Sequence, residues 1–170
     1  HAATLPYRCY QENEMAGEHI ILAGSGPSLK AEETQEYIKR EYDAGAKILA
    51  CKQAIKYLHD LGYKITYAVS MDPGAHIANP KKIFKSPETQ HYIASSSDPE
   101  LFKYLEGEKI VIFHSACGLP GELELYKKLF TNGYCMGGGF NVVNRAISIC
   151  QYANADKISS LVILVFEFSF

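Results

Sequence analysis

Two side chains with acid, base or metal-binding chemistry follow strand-like runs of this sequence. Asp72 stands at the end of one run, and Pro73 after it holds the aspartate backbone extended. A carboxylate there could bind a Mg²⁺ ion that bridges phosphates, because hard cations take oxygen ligands. His114 follows another run beside Ser115, and an imidazole titrates near neutral pH. The sequence therefore predicts Asp72 as a metal ligand and catalytic residue and His114 as a catalytic acid or base; a plain Asp-Pro turn and a structural histidine are the alternatives.

A glycine-rich turn after the apolar run Ile20 to Ala23 predicts a phosphate site. Its glycines would let the backbone approach a ligand, and a helix opening after them would add N–H groups and the positive end of its dipole. Leu29 stands where the dinucleotide motif has its third glycine, and the P-loop spacing is absent, which disfavours NAD and Walker-type ATP binding. The candidate phosphate-binding residues are Gly24, Ser25, Gly26, Pro27 and Ser28. The alternative is a strand-to-helix turn without a ligand.

Further candidate ligand-binding residues follow two other predicted elements. A lysine and a glutamine after the second strand could contact a phosphate and a base or ribose. A second glycine run leads into a helix that begins near Asn141 and would present a second set of backbone donors. These candidates are Lys52, Gln53, Gly138, Gly139 and Asn141. Solvated first-turn residues and a flexible loop before an Asn-capped helix are the alternatives, and Glu167 in the closing run is a further candidate for binding a metal or hydroxyl.

Composition limits the partners that this chain can have. The 170 residues carry a net charge of −2 with scattered lysines and arginines, so we expect a small-molecule ligand and no nucleic acid. The five cysteines form no C-x-x-C pair and no histidine shows a zinc-type spacing, which predicts free thiols in a cytoplasmic setting and no zinc. The closing apolar run is too short to span a bilayer, so no membrane span is expected.

Apolar runs of strand length alternate with segments that can form helices. The predicted strands are Ile20 to Ala23, Lys47 to Cys51, Ile65 to Ser70, His91 to Ser95, Lys109 to Phe113 and Leu161 to Phe168. Helices are predicted over Lys52 to Gly62, with Leu61 on its apolar face, and over Asn141 to Ala153. This alternation predicts an α/β fold: a single domain with a Rossmann-like, mostly parallel sheet and helices on both faces. Such folds bind ligands at the carboxyl ends of the strands, where the candidate residues fall.

The domain is expected to cover residues 19–170, after an N-terminal extension of residues 1–18. No signal-peptide pattern opens the chain, and its last predicted strand ends at the last residues, so we expect a domain truncated at its C-terminal end.

Four segments in order carry a resemblance to a known family. They are Gly-x-Gly-Pro-Ser-Leu from Gly24, Ile-Leu-Ala-Cys-Lys-Gln-Ala-Ile from Ile48, Ala-Val-Ser-Met-Asp-Pro from Ala68, and Gly-Gly-Gly-Phe-Asn before the last helix. With the final Phe-Ser-Phe, this order resembles the 6-hydroxymethylpterin diphosphokinase MptE-like family over most of the chain. It is also similar to motility-associated glycosyltransferase factors and, more distantly, to bacterial sialyltransferases, in which the glycine loop and a Cys-Asn-Gln-like turn hold a CMP-sugar. Lys52 stands in place of that asparagine.

The resemblance implies a transferase with a phosphorylated nucleotide donor and a small-molecule acceptor, and Asp72 as a candidate metal ligand adds Mg²⁺ to this expectation. Diphosphate transfer from ATP to a 6-hydroxymethylpterin-type alcohol is the first expectation. A sugar-nucleotide glycosyltransferase using a CMP- or UDP-sugar is the second, and a non-catalytic nucleotide-binding domain is the third. In each case binding would rest on positioning and charge neutralisation at the glycine loops.

Overall fold

The computed structural model describes residues 7–74, 76, 78–79, 83, 85–116, 118–129, 135–137 and 141–160. The strands are β1 (Arg8–Cys9), β2 (His19–Ala23), β3 (Lys47–Cys51), β4 (Ile65–Ser70), β5 (Gln90–Ala94), β6 (Lys109–Ser115), β7 (Cys135–Met136) and β8 (Lys157–Ser160). The α-helices are α1 (Glu32–Asp43), α2 (Gln53–Asp60), α3 (Pro99–Tyr104), α4 (Glu122–Leu129) and α5 (Val142–Tyr152).

The eight described strands form one parallel sheet in the order β1-β6-β5-β4-β3-β2-β8, with β7 beside β6. From β2 to β6 every connection steps in the same direction across the sheet. The right-handed rule for such crossovers places their helices on one face. Helix α4 lies on that face too, because its Tyr126 stacks on His114, whose side chain shares the face of Ile110 and Ile112. The return from β7 through α5 to β8 crosses the other face. The α/β sheet predicted from the sequence is confirmed.

Two apolar clusters lie on the two faces of the sheet. One buries Ile38 of α1 and Ile55 of α2 against alternate strand residues. The other buries Val143 and Ile149 of α5 against the intervening residues. The strands are therefore covered on both faces, which is why they read as nearly continuous apolar runs in the sequence.

The predicted boundaries hold best for the central strands. Lys47–Cys51 and Ile65–Ser70 match their predicted ranges, because both are apolar runs bounded by polar residues. The prediction for Leu61 was wrong: α2 ends at Asp60, and Leu61 follows it with 51% of its surface exposed. The last described strand begins at Lys157, ahead of the predicted range, and residues 161–170, including Glu167, lie outside the described residues.

The segment expected as an N-terminal extension contributes to the sheet and to the core. Arg8 and Cys9 pair with Val111 and Ile112 of β6, and Tyr10 continues this pairing through its N–H to the Ile112 carbonyl at 2.9 Å. Met15 is fully buried in the α5 cluster. No described helix is both long and apolar enough to cross a membrane.

Candidate functional site

The carboxyl ends of five neighbouring strands place the predicted site residues along one edge of the sheet. In spatial order this edge carries the loop after β2, the turn after β3, Asp72 after β4, Ser95 after β5 and the end of β6. Neighbouring strands lie about 4.8 Å apart, so the four steps from β2 to β6 separate the glycine loop from His114 by roughly 19 Å. The edge therefore divides into a part near the glycine loop and a part near His114.

The glycine loop does not open directly into an α-helix, which corrects the sequence-based expectation. Pro27–Lys30 forms a 3-10 turn of 4 residues, held by the Leu29 N–H donating to the Gly26 carbonyl at 3.1 Å. Helix α1 begins only at Glu32, and Glu32 and Glu33 already place carboxylates in its first turn. Any ligand at this loop would thus meet loop backbone, without the full dipole of α1.

The loop backbone is nevertheless open to a ligand at Gly26. Gly26 and its neighbours Ser25 and Pro27 are exposed, Ser28 is half-buried and Gly24 is buried. Gly26 has φ −69° and ψ 162°, a conformation that any residue adopts. A Cβ added there would meet only the Ser28 Oγ, at 3.8 Å. Neither backbone strain nor packing requires a glycine at position 26. Its missing side chain leaves open space beside the loop backbone.

Lys52 is held in a strained backbone conformation where β3 turns into α2. Its φ is 52° and its ψ is −127°, outside the left-handed helical basin that non-glycine residues use. The other described non-glycine residues with positive φ are Asn13 and Asn154, and asparagine tolerates that region. Strain of this kind costs about 1–3 kcal/mol and concentrates at functional sites. Lys52 itself is half-buried, and Gln53 beside it is exposed.

Cys51 precedes this turn and is not a candidate nucleophile. The residue is fully buried, and burial raises the pKa of its thiol. A thiol that stays protonated at neutral pH packs as a small apolar group. At the end of β3, Lys52 is therefore the candidate for ligand binding, and Cys51 is not.

Asp72 combines a local turn with an ion pair. Its Oδ1 accepts the Gly74 N–H at 3.0 Å, and its Oδ2 lies 3.5 Å from the Nε2 of His76. Sequence reasoning did not single out His76. Its ring packs on Gly74: a Cβ at position 74 would lie 2.4 Å from the His76 Nδ1, so only glycine allows this approach. Among the described residues, the second oxygen of this carboxylate pairs with an exposed imidazole, which leaves it able to bind a cation.

His114 is completely buried at the end of β6, between a serine and a tyrosine. Its Nδ1 lies 3.0 Å from the Ser95 Oγ, and the ring stacks on Tyr126 of α4 with centroids 5.3 Å apart. Burial lowers the pKa of His114 to about 4, so the imidazole is neutral at pH 7. It can accept a proton but does not supply a positive charge. The Ser95 contact brings together the ends of β5 and β6, which only the sheet order reveals.

The second glycine loop is described at Gly137 and Asn141. Gly137 is exposed, and a Cβ added to it would meet nothing within 4 Å. Gly138 and Gly139 lie outside the described residues. Asn141 caps the N-terminus of α5, because its Oδ1 accepts the Asn144 N–H at 2.9 Å. A capping asparagine was the alternative to ligand binding that the sequence left open.

Arg145 is the main residue at this edge that sequence reasoning missed. It lies in the first turns of α5 with 1% of its surface exposed, and its Nη1 and Nη2 donate to the carbonyls of Met136 and Ala116. The available signal was a single cation inside the apolar run Val142 to Cys150. A charge at such a position is rarely buried without a partner.

No group of three or more metal-ligating side chains occurs in the part of the chain that the structure describes. A cation at Asp72 would therefore take one protein carboxylate. This fits Mg²⁺, which usually binds one or two carboxylates together with phosphates and water. Among the cysteines, Cys9, Cys51 and Cys150 are free thiols.

Comparison with known proteins gives a fold relative and a family. The structure of MAf glycosyltransferase from Magnetospirillum magneticum AMB-1 superposes with a TM-score of 0.62 at 18% sequence identity, over 89% of this chain. The match covers 24% of that protein, so this chain spans about a quarter of its length. No curated protein matches the sequence. The family model described as 6-hydroxymethylpterin diphosphokinase MptE-like matches residues 6–160, and the chain belongs to this family.

Proposed function

We propose that this chain is a transferase that holds the phosphates of a nucleotide donor between the Gly24–Ser28 loop and Lys52. The observation that carries the proposal is the strained Lys52 backbone at the end of β3, the strand that pairs with β2 and so ends next to the loop in which Gly26 leaves open space. A folded protein retains such strain where the conformation has a use. An ammonium group next to exposed loop N–H groups provides the charge and the donors that phosphates require.

Asp72 would hold a Mg²⁺ ion on the donor phosphates, one strand beyond Lys52. When bound, the ion would neutralise charge on the phosphates during transfer. Asp72 contributes an oxygen at the strand end, and the Gly74 N–H fixes the direction of its carboxylate. The donor half of the site then consists of the ends of β2, β3 and β4.

The reaction that family membership supports is diphosphate transfer from ATP to a 6-hydroxymethylpterin-type alcohol. The acceptor oxygen attacks the β-phosphorus of ATP, the bond from that phosphorus to the bridging oxygen of the α-phosphate breaks, and AMP leaves. The acceptor's proton passes to water or to His114, which is neutral at pH 7 because burial lowers its pKa to about 4. Positioning and charge neutralisation supply most of the catalysis in reactions of this class.

Glycosyl transfer from a CMP- or UDP-sugar is the second candidate. The fold similarity to the MAf glycosyltransferase favours it. In that case the acceptor oxygen attacks the anomeric carbon, the bond to the phosphate oxygen breaks, and a nucleoside mono- or diphosphate leaves. The same donor half of the site would hold the phosphates, so the two candidates differ in their products.

Binding measurements on matched lysine variants test the donor site. We expect ATP, or a CMP- or UDP-sugar, to bind with Mg²⁺ and to bind Lys52→Ala at least tenfold more weakly by calorimetry. Lys56→Ala is the control, because Lys56 lies on α2, close to Lys52 in the sequence, and pairs with Asp60 at the helix surface. Asp72→Asn keeps an oxygen for the Gly74 N–H and should remove the Mg²⁺ dependence alone. If no nucleotide binds, or Lys56→Ala weakens binding equally, the proposal is wrong.

Product analysis then separates the two reactions. Release of AMP from ATP with a hydroxymethyl-dihydropterin supports diphosphate transfer, and release of CMP or UDP from a sugar nucleotide supports glycosyl transfer. Nucleotide binding without either product leaves the third alternative, a non-catalytic binding domain.

A further inference from the structure

Arg145 places a buried positive charge at the other end of the same edge. Its guanidinium donates one hydrogen bond to the Met136 carbonyl and one to the Ala116 carbonyl, and Ala116 directly follows β6. Both contacts are to neutral carbonyl oxygens. The side chain thus joins the ends of β6 and β7 to the start of α5.

The charge of Arg145 has no counter-charge in the described ranges of the chain. The chain has three arginines, and the other two are paired: Arg8 with Glu14, and Arg40 with Glu41 at 2.8 Å. Arg145 forms no ion pair with a described carboxylate, and its buried Nε has no hydrogen-bond partner. The most buried arginine of the three is therefore the one without an anion.

This arrangement is unfavourable unless an anion joins it. Removing a guanidinium from water costs several kcal/mol, which neutral carbonyls only partly offset. Arg145 also lies in the first turns of α5, whose N-terminus carries partial positive charge and therefore disfavours a cation. The Arg145 guanidinium and the N-terminus of α5 are both positive and belong to the same turns of the helix, and an oxyanion would stabilise both.

The unused donors have the geometry that an oxyanion needs. A guanidinium has five N–H groups, and two of those of Arg145 are engaged by carbonyls. The Nε–H and one N–H on each Nη remain, and adjacent donors of this kind bind carboxylates and phosphates in pairs. Gly137, whose peptide the guanidinium contacts, is exposed with open space around its Cα. A ligand group could approach from that side.

We propose that Arg145 and the N-terminus of α5 bind a phosphate or carboxylate group of the acceptor. The assignment to the acceptor rests on the proposed function, because the donor phosphates are placed at the ends of β2 and β3. Arg145 contacts the carbonyls of Met136 and Ala116, which follow β7 and β6, so it lies at the β6 end of the edge, where His114 contacts Ser95. The acceptor would then carry an anionic group in addition to its reacting hydroxyl. Because a 6-hydroxymethylpterin has no phosphate or carboxylate, such a group would favour the glycosyl-transfer candidate over diphosphate transfer.

The Nε–H resonance of Arg145 is a direct probe of this site. With only three arginines, ¹H–¹⁵N spectra of the whole chain assign it by its loss in Arg145→Met. We expect it to shift saturably on titration with inorganic phosphate or with acetate at constant ionic strength, and to do so equally in Lys52→Ala. A response to phosphate alone indicates a phosphorylated acceptor, and a response to acetate indicates a carboxylated one. An assigned signal that responds to neither anion overturns the proposal.

Nucleotide competition distinguishes this proposal from the proposed function. We expect phosphate to shift the Arg145 signal with a saturating nucleotide present, because the two sites are separate. Loss of the shift in the presence of nucleotide, or in Lys52→Ala, would show that Arg145 belongs to the donor site and would overturn the assignment. Anion binding at Arg145 without any nucleotide binding would remove the proposed function and the acceptor assignment, while the anion site itself would stand.

Thermal melting adds a stability readout. Phosphate or acetate should raise the Tm of the wild type and of Arg40→Ala, a surface control, but not that of Arg145→Met. Without anions, Arg145→Met should melt at or above the wild-type Tm, because an apolar side chain replaces an uncompensated charge. A large fall in Tm for this variant, with no effect of anions on the wild type, would mean that Arg145 only clamps the two carbonyls. If Arg145→Met does not fold, Arg145→Lys assigns the Nε–H resonance in its place, and the anion titrations alone decide the proposal.

Discussion

At the amino edge of the sheet, two glutamates each bind several described partners. At the carboxyl edge, Lys52 and Arg145 have no acidic partner among the described residues. Glu14 accepts from the Tyr92 hydroxyl at 2.7 Å and from Gln90 at 3.0 Å, and pairs with Arg8. Glu18 accepts from the Tyr67 hydroxyl at 2.7 Å and pairs with Lys47. Lys52 and Arg145, by contrast, form no ion pair within the described residues.

This difference separates the polar groups that stabilise the fold from those for which we propose a role in ligand binding. Burial raises the pKa of Glu14, but the hydrogen bonds from Arg8 and Tyr92 outweigh it, so the pKa is lowered and the carboxylate is charged at neutral pH. It ties the N-terminal segment to β5. The carboxyl edge instead retains backbone strain at Lys52 and an uncompensated charge at Arg145, both of which cost stability. Changes at the amino edge should therefore reduce stability, and changes at the carboxyl edge should mainly reduce ligand binding.

Acid should produce the largest effect, and it tests both ends of the sheet together. Burial lowers the pKa values of His91, near the start of β5, and of His114, at the end of β6, to about 4. The unfolded chain, with a pKa near 6.5, then binds protons first, so stability is constant above about pH 6.5 and falls as the pH drops toward 4. Each histidine should remove about 3 kcal/mol by pH 4.

Urea unfolding at a series of pH values measures this loss. His91→Leu should reduce the pH dependence of the free energy of unfolding between pH 6.5 and 4 without affecting nucleotide binding. His114→Gln should reduce the same pH dependence and also lower transfer activity. An unchanged slope in both variants would mean that neither imidazole is kept neutral by the fold.

Glu14→Ala should destabilise the chain by about 3 kcal/mol, because it leaves the buried Tyr92 hydroxyl and Arg8 without their acceptor. Urea unfolding at pH 7 measures the change. Glu14→Gln retains the shape and one acceptor and should cost less. Nucleotide affinity of the folded variant should be unchanged; a loss of affinity as large as that of Lys52→Ala would remove the distinction between the two edges.

Lys52→Gly should stabilise the protein by about 1 kcal/mol while weakening donor binding. Glycine adopts φ 52° and ψ −127° without strain, and this gain exceeds its entropic cost in the unfolded chain. Lys52→Ala keeps the strain and should be no more stable than the wild type. Comparing the urea midpoints of the two variants with their nucleotide affinities separates strain from charge. Equal midpoints would show that the turn stores no strain.

The sequence predicted the positions of site residues along the chain better than their contacts. Placing Asp72 after a strand required only apolar periodicity, whereas His114, predicted to follow a strand that ends at Phe113, lies within β6, which continues to Ser115. The contact between His114 and Ser95 depends on β5 lying beside β6, and the contact of Arg145 with the Met136 carbonyl depends on how α5 crosses the sheet. Neither relation has a signature in local sequence.

Short and irregular features were also beyond the sequence. β1 has 2 residues and no periodicity, so only its pairing with β6 defines it. The positive φ of Lys52 was not predictable, because the usual signal for such a turn is glycine or asparagine. The 3-10 turn at Pro27 replaced the expected helix because Ala31 is extended and delays α1 to Glu32.

The order of strands in space also bears on how the chain folds. β1 pairs with β6, and β2 pairs with β8, so both pairings join segments that lie far apart in the described sequence. Contacts between distant segments require large loops to close and slow the folding of a domain. The central strands from β2 to β6 can assemble stepwise through neighbouring connections, while β1 must wait for β6. Until β1 pairs, the edge of β6 that it covers is open to pairing with another chain, so this two-residue strand also protects the sheet against association.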